Sequence, residues 1–172
     1  MKNHWIETPD LYLRPLNHQQ LLQYINLQPD LEKDWNLNPV VRNISAELKE
    51  ALEDSILPAV ADKSKNYLFS TLWIVINKHS NQMVAALCFK GEPNHLGEIE
   101  IGYGTFDEFQ SKGYMTKAVA AIIPWASQQS SVVSIIAETE KNNQASMVVL
   151  VKNNFAQVNE LGTKYYWKLN LK

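Results

Sequence analysis

A single cysteine, Cys88, occurs in 172 residues, so no intramolecular disulfide and no cysteine zinc cluster can form within the chain. It lies in the run Val84-Ala85-Ala86-Leu87-Cys88-Phe89 and reads as a small buried residue, not a nucleophile. No apolar run approaches the ~20 residues needed to span a bilayer. The opening Met-Lys-Asn-His-Trp-Ile-Glu has no apolar signal core, so a cytoplasmic location is expected. Positive charge is not in excess either. Sixteen Lys and Arg against eighteen Asp and Glu give a net charge of −2, which leaves no basic footprint for nucleic acid or for an anionic membrane. Repeats, low-complexity tracts and linkers are absent. With 45% hydrophobic and 20% charged residues, residues 1–172 are expected to form a single domain with a substantial core.

What is present is a change of period around residue 113. Ile99, Ile101 and Tyr103 alternate with Glu98, Glu100 and Gly102, the pattern of a half-buried strand over 98–105. From Met115 the apolar spacing becomes helical, with Ala118, Val119, Ile122, Ile123 and Ala126 on one stripe. Gln110-Ser111-Lys112-Gly113-Tyr114-Met115 lies at the switch. A loop feeding a helix start offers unpaired N–H groups at the positive end of the helix dipole, a site suited to phosphate. Gly113 lets an anion approach the backbone and Lys112 adds charge. On physics alone, a plain tight turn into a surface helix explains the same residues.

The remaining elements follow from punctuation. Leu11–Arg14 reads as a short strand, suited to a sheet edge and stopped by Pro15. Asn17 with Gln20 forms a capping box for a helix carrying Leu21, Leu22, Tyr24 and Ile25 that ends before Pro29. Residues 29–44 read as loop or broken helix. Ser45 caps a helix with Leu48, Leu52, Ile56 and Ala59 on one face, which Pro58 ends or kinks. Residues 67–77 and 82–90 form an antiparallel hairpin about the turn 78–81, where His79 is a solvated turn residue. Pro124 predicts a kink or an early end of the central helix, and a strand is expected over 132–137. Met147–Val151 is an apolar, β-branched run that propensity alone makes a strand. The tail gives two strands about Gly162.

Gln110-Ser111-Lys112-Gly113-Tyr114-Met115 resembles the Gln/Arg-x-x-Gly-x-Gly/Ala pyrophosphate loop of the GNAT superfamily of acyl-CoA-dependent N-acetyltransferases. Met115 departs from the Gly or Ala of the general pattern, but Gly-Tyr-Met is similar to the branch of ribosomal-protein N-terminal acetyltransferases, as is Leu11-Tyr12-Leu13-Arg14-Pro15-Leu16. Asn143-Gln144-Ala145-Ser146, followed by Val149-Leu150 and Phe155, resembles the Asn-x-x-Ser helix of these proteins. That likeness makes 143–154 a helix, with Asn154 taking the left-handed position where the family has Gly. The resemblance covers most of the chain, although residues 29–66, where it implies that substrate selectivity lies, match nothing.

The resemblance implies an α/β fold with a mixed, mostly antiparallel sheet of about seven strands flanked by about four helices. It implies acetyl-CoA as co-substrate without a metal, a primary amine as acceptor (a protein N-terminus or a small molecule), direct attack, and a monomer or homodimer. Backbone at Tyr103, Gly104 and Thr105 would hold the acetyl and pantetheine groups. Gln110, Ser111, Lys112, Gly113, Tyr114, Met115 and Thr116 would form the pyrophosphate loop, with Asn143 further along the cofactor. Gly102 and Gly104 inside a strand independently suggest a close approach by ligand. Glu100 and Glu138 are alternative general bases, each equally readable as a solvated strand residue. Many relatives place an acidic Tyr where this chain has Leu150, so Ser146 becomes the candidate that protonates the leaving thiolate. That missing Tyr also supports a second reading, an acyl-CoA-binding or regulatory GNAT domain without catalysis.

Overall fold

The computed structural model describes residues 4–172. Its frame is an eight-stranded sheet in the order β1-β2-β3-β4-β5-β6-β8-β7. The strands are β1 (Ile6–Glu7), β2 (Leu11–Pro15), β3 (Leu72–Asn77), β4 (Gln82–Phe89), β5 (Glu98–Thr105), β6 (Ser134–Glu140), β7 (Ala156–Leu161) and β8 (Lys164–Asn170). Neighbours pair antiparallel except β5 and β6, which are parallel. The architecture is the expected α/β class with one strand more than anticipated. β1 is only two residues long, too short to leave a periodic signal, and it occupies the edge expected for β2. β2 therefore lies inside the sheet between β1 and β3, with Pro15 as its last paired residue.

Helices cover the two faces unequally. On one face lie α5 (Tyr114–Ser127) and α6 (Gln144–Lys152). Met115, Ala118, Val119, Ile122 and Ala126 of α5 are buried, and the three larger side chains are each worth roughly 1.5–3 kcal/mol of transfer free energy. They join Trp73, Val75, Leu87, Ile99 and Ile135 in the larger core. Trp125 stacks on Phe89, with ring centroids 5.6 Å apart. On the other face, α1 (His18–Ile25), α2 (Asp30–Asp34), α3 (Ala46–Ala51) and α4 (Leu57–Ala61) cover β2 to β4 through Leu21, Tyr24, Leu31, Leu52 and Ile74. The Asn17–Gln20 capping box and the Ser45 cap both form.

One expectation needs correction, and the two about prolines lose their helix-ending alternative. Residues 67–71 are not strand: Tyr67–Phe69 is a 3-10 turn, fixed by the Asn66 side chain and by the Trp73 indole N–H donating to the Leu68 carbonyl at 3.1 Å. Pro58 does not end its helix, which continues through α4 to Ala61. The preceding Leu52–Ile56 adopts a π-turn, with the Leu57 N–H bonding the Leu52 carbonyl, and this wider turn accommodates the proline ring. Pro124 likewise lies within α5, which runs on to Ser127. Pro124 and Ala120 both face solvent, so water can serve the carbonyl that the missing N–H would have bonded.

The β-branched run 147–151 is helical, as the resemblance implied. Asn143 caps α6, Leu150 is fully buried, and Asn154 takes a φ of 63° just past the helix. Leu150 anchors the segment by its stripe, while Val148 and Val151 are exposed, so helix capping and one buried contact outweigh β-propensity here.

Candidate active site

β5 changes partners along its length. Glu98, Glu100 and Ile99 between them pair with Ser134–Ile136 of β6, whereas Ile101–Thr105 pair only with β4. β6 in turn continues to Glu140 paired only with β8. A wedge thus opens between Ile101–Thr105 and Ala137–Glu140, each side carrying strand backbone with no ladder partner. Across it, the Tyr103 hydroxyl donates to the Ser146 carbonyl at 3.1 Å and ties β5 to the first turn of α6. Burial pushes the Tyr103 phenol up to about 12, so it stays protonated at neutral pH.

The loop after β5 leads from a 3-10 turn, Asp107–Phe109, to α5. Ser111 has φ 60° and Gly113 φ 78°, and α5 starts without a side-chain cap. Among the described residues, no acceptor meets the backbone N–H groups of Ser111 through Thr116. Six successive donors therefore converge on one helix start. A Cβ built on Gly113 would meet nothing within 4 Å, so the space in front of these donors is open. Lys112 is directed back to the Glu108 carbonyl at 2.7 Å. Gln110 donates to Asp107 at 3.2 Å. The Tyr114 hydroxyl accepts from Asn77 at 2.8 Å, and Met115 is buried in the core, so the family departure at Met115 leaves the donors untouched. The start of α5 is also held by Asp10, which pairs with Lys117. His79 is the expected exposed turn residue and lies 3.3 Å from Asp10.

On the opposite face of β5 lies a chamber of about 980 Å³. Its floor is made of four small residues in register, Ala86 opposite Gly104 and Cys88 opposite Gly102. Its roof is the α3–π-turn–α4 segment. Cys88 is half-buried at the chamber wall, more accessible than its sequence context suggested. Desolvation pushes its thiol up to about 11, which keeps it a poor nucleophile at neutral pH.

The two candidate bases lie on the chamber's face of the sheet but in different settings. Glu100 precedes Gly102 by one alternation, is 24% exposed and is paired with Lys90, itself on the chamber wall. Glu138 is two residues past the last β5–β6 pair, beside the wedge, and accepts from Lys164 at 2.8 Å. That contact raises the Lys164 ammonium above its usual range. Ser146 is half-buried at the first turn of α6, where its N–H donates to the Asn143 Oδ1 at 3.1 Å. Asn143 thus spends its carbonyl on its own helix and keeps its amide N–H groups free. Leu150 is fully buried, so that position presents nothing to a ligand. The sequence reading missed the Tyr103 hydroxyl, because alternation assigned that side chain to the core. It expected substrate selectivity within 29–66 but not that residues 41–59 wall a chamber over β5, because nothing local ties them to β5.

The Acetyltransferase (GNAT) domain family matches residues 10–156, most of the chain and all of the loop, wedge and chamber. The chain belongs to the GNAT acetyltransferase family. An uncharacterized N-acetyltransferase of Bacillus subtilis, YjdG, is 32% identical over 95 residues, a match spanning 55% of this chain and 56% of that protein. Among solved structures, the ribosomal-protein-S5-alanine acetyltransferase of Vibrio fischeri superposes with a TM-score of 0.68 at 17% identity, covering 96% of each chain. RimL, a ribosomal L7/L12 alpha-N-protein acetyltransferase in complex with coenzyme A, gives 0.65 at 17% identity over 97% of this chain and 98% of that one. At these identities the likeness is one of fold. No helix among the described residues is long and apolar enough to cross a membrane, and no group of His, Cys, Asp and Glu among them could hold a metal ion.

Proposed function

We propose that residues 1–172 act as one N-acetyltransferase domain that moves an acetyl group from acetyl-CoA to a primary amine by direct attack. The observation that carries this is the uncapped start of α5: six free N–H donors from Ser111 to Thr116 around open space at Gly113 fit a pyrophosphate in charge and in shape. Acetyl-CoA supplies the acetyl group as an activated thioester. The chain's residues then divide the work. The loop backbone holds the phosphates, with the Asn143 amide available further along. Tyr103, Gly104 and Thr105 pair with β4 on one side, and their wedge-side backbone edge offers strand-like hydrogen bonds to the pantetheine amides. The loop and the chamber lie on opposite faces of β5, so a ligand passing through the wedge presents its acyl end to the chamber.

The amine must lose a proton before it attacks, and Glu100 or Glu138 is the acceptor for it, directly or through one water. Lys90 and Lys164 hold the respective carboxylates. The Ser146 hydroxyl returns a proton to the leaving thiolate. The fully buried Leu150, in the place where many relatives carry a Tyr, favours the second reading, an acyl-CoA-binding domain without turnover.

Thermal unfolding tests the binding part. Acetyl-CoA at a hundredfold excess over Kd stabilises by about 2.7 kcal/mol, which for a domain of this size raises Tm by roughly 5–11 °C. NADH, with a pyrophosphate but no pantetheine, gives a smaller rise. An equal rise with NADH, or none with millimolar acetyl-CoA, would falsify the reading. Release of thiol across a panel of amines then separates the enzyme from the non-catalytic domain.

A further inference from the structure

Resting on the acetyltransferase reading above, the chamber's wall points to the acceptor: we infer that it is a small primary amine carried on an aryl or branched alkyl body. The volume of about 980 Å³ is at the upper end for small-molecule sites and far exceeds what an acetyl group and an amine fill. Its lining is apolar above the small-residue floor, with Tyr24, Val41, Leu48, Ile56 and Leu72 facing it. Val41 is 69% and Leu48 40% exposed. Much of both side chains faces solvent, and an apolar ligand body would remove that surface from water. Ser45, Ala51, Ser55 and Ala59 are small, which leaves the space beneath the roof unfilled.

The placement of charge argues against a polyamine. A polycation needs carboxylates along its length. The chamber's three, Glu92, Asp107 and Glu108, are all exposed at its mouth, and its lining from Tyr24 to Ala59 and from Ser70 to Phe89 has none. The two lysines of the lining are already paired, Lys65 with Asp62 and Lys90 with Glu100. The exposed Lys65, Glu92, Asp107 and Glu108 form a solvent-facing mouth. An acceptor enters through such a mouth, whereas a long acyl tail delivered through the wedge would have no need of one.

The test is kcat/KM for phenylethylamine and isoamylamine against spermidine and a Ser-initiated tetrapeptide, with acetyl-CoA as donor. The two apolar amines should lead by tenfold or more, the scale on which an apolar pocket discriminates. Ser55→Phe and Ala59→Phe, which fill the chamber, should each raise KM for phenylethylamine about tenfold or more while the Tm rise with acetyl-CoA is retained. Ser55 is at an exposed position, so it decides the matter should Ala59→Phe not fold. A preference for spermidine or the peptide overturns the inference and leaves the acetyltransferase reading standing. So does a hexanoyl-CoA donor used better than acetyl-CoA, since the chamber would then house the acyl chain. Unchanged kinetics in both filled variants overturns it too. Absence of acetyl-CoA binding, or binding without turnover of any amine, overturns both readings together.

Discussion

Two helices pack side by side on one face of the sheet and begin in opposite ways. α6 starts at Asn143, whose side chain accepts the Ser146 N–H at 3.1 Å. α5 starts at Gly113, with no side chain to accept anything and six consecutive N–H groups left over. A side-chain cap typically contributes ~1 kcal/mol. α5 is the longer helix and buries more apolar surface, so it can forgo that contribution. The difference teaches that the two starts use their donors differently. α6 closes its own first turn with the Asn143 side-chain oxygen, whereas α5 leaves its N–H groups facing open space. α1 and α3 side with α6, through the Asn17 and Ser45 caps.

The largest effect should come from spoiling the open start. Gly113→Val places a branched side chain in the phosphate's path at a φ of 78°, which only glycine adopts without strain. Calorimetry should detect no acetyl-CoA binding, a loss on the order of a hundredfold or more for a site built on these donors, with the circular dichroism of the fold kept. Unchanged affinity would sink the contrast between the two helix starts. Next come the carboxylates beside the wedge that separates them. One of Glu100→Gln and Glu138→Gln should lose kcat by about 10²-fold or more with acetyl-CoA binding intact; full activity in both variants would mean that neither is the base.

A smaller effect is expected from making the two starts alike. Asn143→Ala removes the α6 cap and should cost about 1 kcal/mol, a fall in Tm of roughly 2–4 °C. A change within error would show that the cap is not what stabilises α6. The smallest concerns Asp10, which pairs with Lys117 in the first turn of α5. The contacts with Lys117 and then His79 hold its carboxyl below the usual range. A carboxyl depressed in the folded state stabilises above its unfolded pKa of ~3.9, and that contribution is lost as pH falls through the folded value. Asp10→Asn should therefore flatten the loss of stability below about pH 4, read by denaturant midpoints at stepped pH. An acid limb identical to the parent's would remove Asp10 from the account.

The residues told more about strands and caps than about what lies opposite what. The β3–β4 hairpin, β5, the loop to α5, the Asn17–Gln20 capping box and the Ser45 cap were all legible, because each rests on local period or local hydrogen bonding. α6 was legible only through family likeness, since Met147–Val151 has the composition of a strand. Neither proline ended its helix, for one reason. Pro58 and Pro124 break a helix only if the lost bond and the ring clash go unrelieved, and relief came from a π-turn in one case and solvent in the other. Of the candidate site, the switch from strand to a helix start at Gly113 was readable from the change of period. The chamber was not, because Val41 to Ala59 meet β4 and β5 only in three dimensions.

The parting of β5 from β6 has a consequence for the protein's behaviour in concentrated solution. A sheet ordinarily has two open borders, and here β1 and β7 supply them. The wedge adds two more in the interior, each a row of amide groups able to template a foreign strand. Only three residue pairs stitch the halves together. A pantetheine chain lying between them would seal both rows at once, so the same contacts that position a substrate would also keep the molecule from adhering to its own kind.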